Sequence, residues 1–284
     1  MVFGVIGDPV AHSLSPPMQN YFMKKLKING VYCAFHVAAE DLESCLRGAR
    51  AMHFTGLNVT LPHKQAAARL ARFASPQVDL LQVANTLSFE DDGSHAFTTD
   101  PNGFAASLGR EQERFAGAKV VIFGAGGSAR SIVYALSQLG ISGLTIVNRI
   151  ESKAALLAQF CLQRLAMTDV QAVSPNHPDL DLFIDQAAVL INATALGMHP
   201  LTGETPLQKF TAVEKKHFVY DLIYNPPKTR FLFEAEKRGA TVRNGLEMLI
   251  HQGLKSLNIW MQENFAMDEN TLSELKSLLS GELQ

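Results

Sequence analysis

"KVVIFGAGGSAR", residues 119–130, runs from an apolar, β-branched stretch into a turn of glycines and then into helix-forming residues. Gly124, Gly126 and Ala129 hold the spaced positions of a G-x-G-x-x-A pattern, with a strand predicted over 119–123 and a helix over 128–139. Glycines there permit a tight turn and let a pyrophosphate approach the helix N-terminus, where unpaired N–H groups and the helix dipole favour an anion. A purely structural turn would use the same glycines, but the strand-turn-helix context is what a dinucleotide site requires.

The same alternation extends both ways. Before this stretch, the pattern predicts strand 2–6, helix 16–28, strand 31–37, helix 40–52, strand 55–61 and helix 63–73, followed by a hairpin in "VANTLSFEDDGSHAFTT" around a turn at "EDDGS". After it come "LTIVNR", "AAVLINAT" and "HFVYDLIY" as strand candidates, then a helix over 246–265 with Leu246, Leu249, Ile250, Gly253, Leu257, Trp260, Met261 and Phe265 on one stripe. Alternating short strands and helices predict an α/β fold with parallel sheets, and the polar break "REQERFAGAK" puts a domain change near residue 101.

Composition narrows the function classes. In 284 residues, 47% are hydrophobic, 18% are charged and the net charge is −2, which describes an ordinary globular protein and gives nucleic-acid binding no support. The N-terminus lacks a basic flank and no apolar run reaches the roughly 18 residues of a membrane span, so we expect a soluble cytoplasmic protein. Cys33, Cys45 and Cys161 have no metal or redox spacing and suit reduced core thiols. The histidines are scattered, so no metal site is indicated. The expected partner is a small molecule, with the chain acting as a monomer or homodimer.

After the second strand of the dinucleotide segment, an NAD site usually offers an acidic residue to the ribose. Here Asn148 and Arg149 stand in its place, with Lys153 a turn onward, and a guanidinium suits a 2′-phosphate; NADP is favoured, although Glu151 is close and Arg149 could be a solvated charge.

In "GLNVTLPHK", residues 56–64, alternation sends Leu57, Val59 and Leu61 to one face and Asn58 and Thr60 to the other. Pro62 suits the first turn of the next helix, and Lys64 falls in that turn, where the dipole disfavours a cation. Lys64 is therefore either a mildly misplaced surface charge or a residue placed for chemistry. Ser15 and Pro16 fit an N-cap and first helical residue, which leaves Ser13 unexplained. Asp100 before Pro101 reads as an N-cap or a site residue, Asn85 in a strand candidate meets a turn or a ligand, and Gln252 at the edge of the last stripe is solvated or functional.

Taken in order, "GDPVAHSLSPPMQN", "GLNVTLPHK", "VANTL", "TTDPNGF", "GAGGSAR", "VNR", "INATALGM", "YDLIYNPPKT" and "NGLEMLIHQ" resemble the shikimate dehydrogenase family of NADP-linked oxidoreductases of aromatic amino-acid biosynthesis. The resemblance implies an α/β substrate domain (1–101 with 239–284), a Rossmann-type doubly wound NADP-binding domain (102–238) and C-terminal helices that return to the substrate domain. It implies that Ser13, Ser15, Asn58, Thr60, Asn85, Asp100, Tyr224 and Gln252 bind shikimate and that Lys64 and Asp100 form the catalytic pair. For the cofactor it implies Gly124, Ala125, Gly126, Gly127, Ser128 and Ala129 at the loop, with Asn148, Arg149 and Lys153 around the 2′-phosphate. Thr194, Met198, Leu222 and Gly245 would complete that site, Met198 near the nicotinamide. The implied activity is reversible reduction of 3-dehydroshikimate, with a quinate/shikimate dehydrogenase or a catalytically silent NADP-binding sensor as alternatives. Departures from the usual pattern are Gln19 for histidine, Thr98 for asparagine, Pro101 for glycine, Ile150 for threonine, Lys153 for arginine and Ala195 for serine.

Overall fold

A computed structural model of the chain describes residues 1–283. The chain divides into two compact units, Met1–Gly103 together with Leu249–Glu282, and Phe104–Met248. Among the described residues no helix is long and apolar enough to cross a membrane.

The first unit runs β1 (Val2–Gly7), α1 (Ser15–Lys25), β2 (Val31–His36), α2 (Leu42–Ala51), β3 (Gly56–Val59), α3 (Lys64–Leu70), β4 (Phe73–Ala74), α4 (Pro76–Leu81), β5 (Thr86–Glu90), β6 (Gly93–Phe97) and the start of α5 (Asp100–Leu108). Its sheet, ordered β2-β1-β3-β5-β6-β4, is mixed: β2, β1 and β3 are parallel, and the β5–β6 hairpin joins β3 antiparallel. Alternation explains its two faces. Leu57 and Val59 pack with Ile6, Leu87, Leu42 and Leu46, while the intervening Asn58 turns the other way.

The second unit contains β7 (Lys119–Phe123), α6 (Gly127–Gln138), β8 (Gly143–Val147), α7 (Glu151–Arg164), β9 (Val170–Val173), α8 (Leu180–Gln186), β10 (Val189–Asn192), β11 (Phe218–Asp221), α9 (Arg230–Lys237) and β12 (Thr241–Arg243). All pairings are parallel, in the order β12-β11-β10-β7-β8-β9. Ranked by sequence within the unit, this is the doubly wound order whose direction reverses between the first and fourth strands, β7 and β10. The quoted stretch 119–130 thus forms the strand and turn at the switch point.

The C-terminal helices are α10 (Leu246–Met261) and α11 (Glu269–Gly281). From Leu249 onward α10 belongs to the first unit, where the Trp260 indole donates to the Leu87 carbonyl at 2.9 Å. Gly56 makes room for it: a Cβ there would meet Trp260 Nε1 at 2.0 Å. The helix stops before Phe265, whose backbone is clasped by the Asn258 amide through two 3.0 Å hydrogen bonds.

Several expectations are corrected. β3 ends at Val59, so Leu61 is 44% exposed in a turn and takes no part in the sheet. Pro62 lies in that same turn, ahead of α3. Ser15 is the first residue of α1 rather than its cap; its N–H donates to Ser13 Oγ at 3.2 Å, which gives Ser13 a structural role. Asp100 likewise opens α5 as a helical residue. Of the cysteines only Cys161 is a buried thiol, pushed up to about 12 by burial, whereas Cys33 is exposed.

Candidate active site

Lys64 is the first residue of α3, with a side chain only 12% exposed, and its Nζ lies 2.6 Å from Asp100 Oδ2. An ammonium at a helix N-terminus is disfavoured by the dipole, so the buried carboxylate supplies the compensating charge. Asp100 is fixed from its other oxygen: Asn85 Nδ2 donates to Oδ1 at 2.9 Å.

Asn85 sits in the bend before β5, so the strand conflict noted above resolves as a turn. Its Oδ1 accepts from the Thr99 N–H at 2.7 Å, which sets the amide's orientation, and its Nδ2 also meets Thr99 Oγ1 at 2.8 Å and Gln252 Oε1 at 3.0 Å. Gln252 is buried on α10 and its Nε2 donates to the Leu249 carbonyl at 2.9 Å. Asn58 accepts from the Tyr32 hydroxyl at 2.8 Å and donates toward the Asn85 carbonyl, Thr86 Oγ1 and Ser256 Oγ. Asp100, Asn85, Gln252 and Asn58 therefore form one connected, buried set that the part-buried Lys64 joins through Asp100. Thr60 is half-buried just past the end of β3, and Ser13 and Ser15 lie at the start of α1.

Tyr32, Thr86, Thr99 and Ser256 join this network without having been singled out by spacing. Thr86 and Thr99 were inside the quoted motifs, and Ser256 lies one helical turn beyond Gln252 on the same face. Two departures from the family pattern leave a buried oxygen without a partner among the described residues, Gln19 Oε1 and Thr98 Oγ1. Gln19 Nε2 meanwhile donates to the Gly253 carbonyl at 2.8 Å, so its amide cannot simply turn around.

In the second unit, Gly124 adopts φ +110, and a Cβ there would meet the Ala193 carbonyl oxygen at 2.9 Å, so glycine is required by the turn. Gly126, the N-cap of α6, has the opposite character. Nothing in the protein lies within 4 Å of where its Cβ would be, and no side chain caps the helix. The space and the uncapped N–H groups fit a pyrophosphate. Ala125, Gly127 and Ser128 complete the partly exposed turn, with Ala129 buried beneath it.

Asn148, Arg149 and Lys153 lie at the end of β8 and the start of α7, and both cations are exposed. Asn148 Nδ2 donates to the Ile150 carbonyl at 2.8 Å. Ile150 stands at the N-cap of α7 and makes no side-chain cap, a bond the usual threonine could provide.

Two polar residues that the sequence did not flag hold the loops after β10 and β11. Buried Asp221 accepts from Asn192 Nδ2 at 3.0 Å, the Ile223 N–H at 3.0 Å and Thr229 Oγ1 at 2.6 Å; burial nonetheless pushes its carboxyl up to about 6. Asn192 Oδ1 in turn accepts from the N–H and the hydroxyl of Thr194. Thr194, Met198 and Leu222 lie in the loops so fixed, and Gly245 passes so close to Leu222 that a Cβ would meet its carbonyl oxygen at 2.1 Å. Tyr224 belongs to this second unit, apart in the chain from the other expected substrate ligands.

The family model for the shikimate dehydrogenase substrate binding domain matches residues 5–87, and that for shikimate / quinate 5-dehydrogenase matches residues 107–228. Shikimate dehydrogenase (NADP(+)) of Caldanaerobacter subterraneus subsp. tengcongensis is 38% identical over 268 residues, 94% of each chain. A crystal structure of a shikimate dehydrogenase in complex with NADP+ superposes with a TM-score of 0.89 at 34% identity, covering 100% of this chain and 96% of that one. The Thermus thermophilus enzyme, solved with NADP(H) and shikimate, gives 0.84 at 31% identity, with 98% of each chain covered. The chain belongs to the shikimate dehydrogenase family.

Proposed function

We propose that this chain is a shikimate dehydrogenase, which interconverts 3-dehydroshikimate and shikimate with NADP(H) in the cytoplasm. The observation that carries the reading is the Lys64–Asp100 pair at 2.6 Å, its carboxylate held by Asn85, in a chain of this family. The three free cysteines are in keeping with a reducing compartment.

When bound, NADPH supplies the hydride that reduces the C3 carbonyl carbon. As that carbon is reduced its oxygen gains negative charge, and Lys64 Nζ stabilises the charge and donates the proton that completes the hydroxyl. Asp100 Oδ2 holds the ammonium in place, and the lysine is then reprotonated from solvent. In the direction of shikimate oxidation the neutral amine takes the hydroxyl proton instead. Ser13, Ser15, Asn58, Thr60, Asn85, Tyr224 and Gln252 bind the carboxylate and hydroxyls, Asn58 with one lone pair of Oδ1 still available beside its bond from Tyr32.

The residues of the second unit suit the cofactor in the same way. The N–H groups at the start of α6 would hold the pyrophosphate, and Asn148, Arg149 and Lys153 would hold the 2′-phosphate. Lys153 contributes charge without the two-pronged geometry of arginine, so Arg149 carries most of the discrimination against NAD. Thr194, Met198, Leu222 and Gly245 would hold the nicotinamide end. The partner in this reading is the small-molecule substrate, with the chain a monomer or homodimer, which light scattering distinguishes.

The test is turnover of shikimate and quinate with each of NADP and NAD. Shikimate with NADP should have the highest kcat/KM. Quinate with NAD as the best pair would replace this reading by a quinate dehydrogenase, and no absorbance change at the NADPH band with either substrate would mark a silent binding protein.

A further inference from the structure

Behind the Lys64–Asp100 pair, four buried hydroxyl and amide groups converge on one atom. Ser256, fully buried on α10, places Oγ 3.0 Å from the Gln252 carbonyl, 3.0 Å from Asn58 Nδ2, 2.8 Å from Thr86 Oγ1 and 3.2 Å from Thr99 Oγ1. A serine in a helix often bonds back to the carbonyl four residues earlier, and that alone would be unremarked helix geometry. The other three partners come from β3, β5 and the segment entering α5, so Ser256 joins separate elements.

Proton accounting gives the cluster a direction. A hydroxyl offers one proton and two lone pairs. The Gln252 carbonyl can only accept, so it receives the Ser256 proton; the Asn58 amide nitrogen can only donate, so Ser256 accepts from it. One lone pair remains, for Thr86 or Thr99. With Thr86 donating there, the Thr99 hydroxyl is free to donate to Gln252 Oε1, 3.3 Å away. Ser256 thereby ties the Asn58 amide on β3 to the backbone of α10 at Gln252.

We propose that Ser256 is a positioning residue for substrate binding: without touching shikimate, its hydroxyl fixes the Asn58 amide against the backbone of α10 at Gln252, and so the placement of the two residues that do. This rests on the reading that the Lys64–Asp100 site binds shikimate.

The experiment compares the full-length wild type with Ser256→Ala, measuring KM for shikimate and for NADP, kcat and thermal stability. Loss of one buried hydrogen-bonding hub should raise KM for shikimate roughly five- to tenfold and leave KM for NADP within about twofold. Should Ser256→Ala fail to fold, Ser256→Cys keeps a similar volume with a weaker acceptor, and its KM for shikimate should still rise. A lowered melting temperature with KM for shikimate unchanged, or an equal rise in both KM values, overturns the positioning role while wild-type turnover upholds the enzyme reading. Absence of shikimate turnover by the wild type would overturn both.

Discussion

In the first unit, the amides of Asn85 and Gln252 engage each other, and those of Asn58 and Asn85 engage Asp100 or the hydroxyls of Thr86, Thr99 and Ser256. At Gly126 of the second unit the protein instead offers an uncapped helix end and empty space. The contrast follows from what each region is proposed to recognise. A small polyhydroxylated acid must be distinguished by directional hydrogen bonds, which only pre-oriented side chains supply. A pyrophosphate is recognised by charge and close approach, which backbone N–H groups supply once side chains are absent.

The contrast predicts that substitutions in the first unit act on the shikimate side of the kinetics and those in the second on the NADP side. The largest effect belongs to Lys64→Ala, which should lower kcat by about 10² to 10⁴ with KM for NADP little changed. An undiminished rate would break the account of the first unit. Next, Gly126→Val puts a branched side chain into the space at the α6 N-terminus and should raise KM for NADP by at least about tenfold, the equivalent of roughly 1.4 kcal/mol, without moving KM for shikimate in a ternary analysis. Smaller again, Arg149→Ala with Lys153→Ala should lower the NADP/NAD preference several-fold while leaving turnover with saturating NAD intact, as measured by kcat/KM for each cofactor.

A further effect is on stability rather than kinetics and concerns a residue outside either set of contacts. Asp221 has its folded pKa raised by burial to about 6, above the ordinary aspartate value of 3.8, so the folded state binds more protons between those values. Stability should therefore fall as pH rises from about 4 to about 6, by an amount bounded at about 3 kcal/mol. Asp221→Asn should flatten this slope in denaturant titrations; an identical slope in the variant would remove Asp221 as its source.

The same contrast explains what was legible in the sequence. The glycine turn and its flanking strands follow from local spacing, and the doubly wound order found in the second sheet is what such a turn at a switch point leads one to expect. Asp91, Asp92 and Gly93 likewise announced the hairpin that Glu90 and Gly93 close. Lys64 and Asp100 were individually ambiguous, since a helix-start lysine and an Asp-Pro pair both have ordinary explanations; their 2.6 Å contact joins residues from α3 and α5, which no local pattern reveals. Thr86, Thr99 and Ser256 were not legible because an isolated hydroxyl has no characteristic spacing. Leu61 was misplaced because alternation predicts faces only while the strand continues, and β3 stops at Val59.

The most direct test of the account is the crystal structure of the chain with shikimate and NADP+ bound, read at the C3 hydroxyl. That oxygen should lie about 3 Å from Lys64 Nζ, within hydrogen-bond reach, with Asp100 still paired to the lysine. Shikimate bound with C3 turned away from Lys64, or held by residues outside the Asn58, Asn85 and Gln252 network, would contradict it.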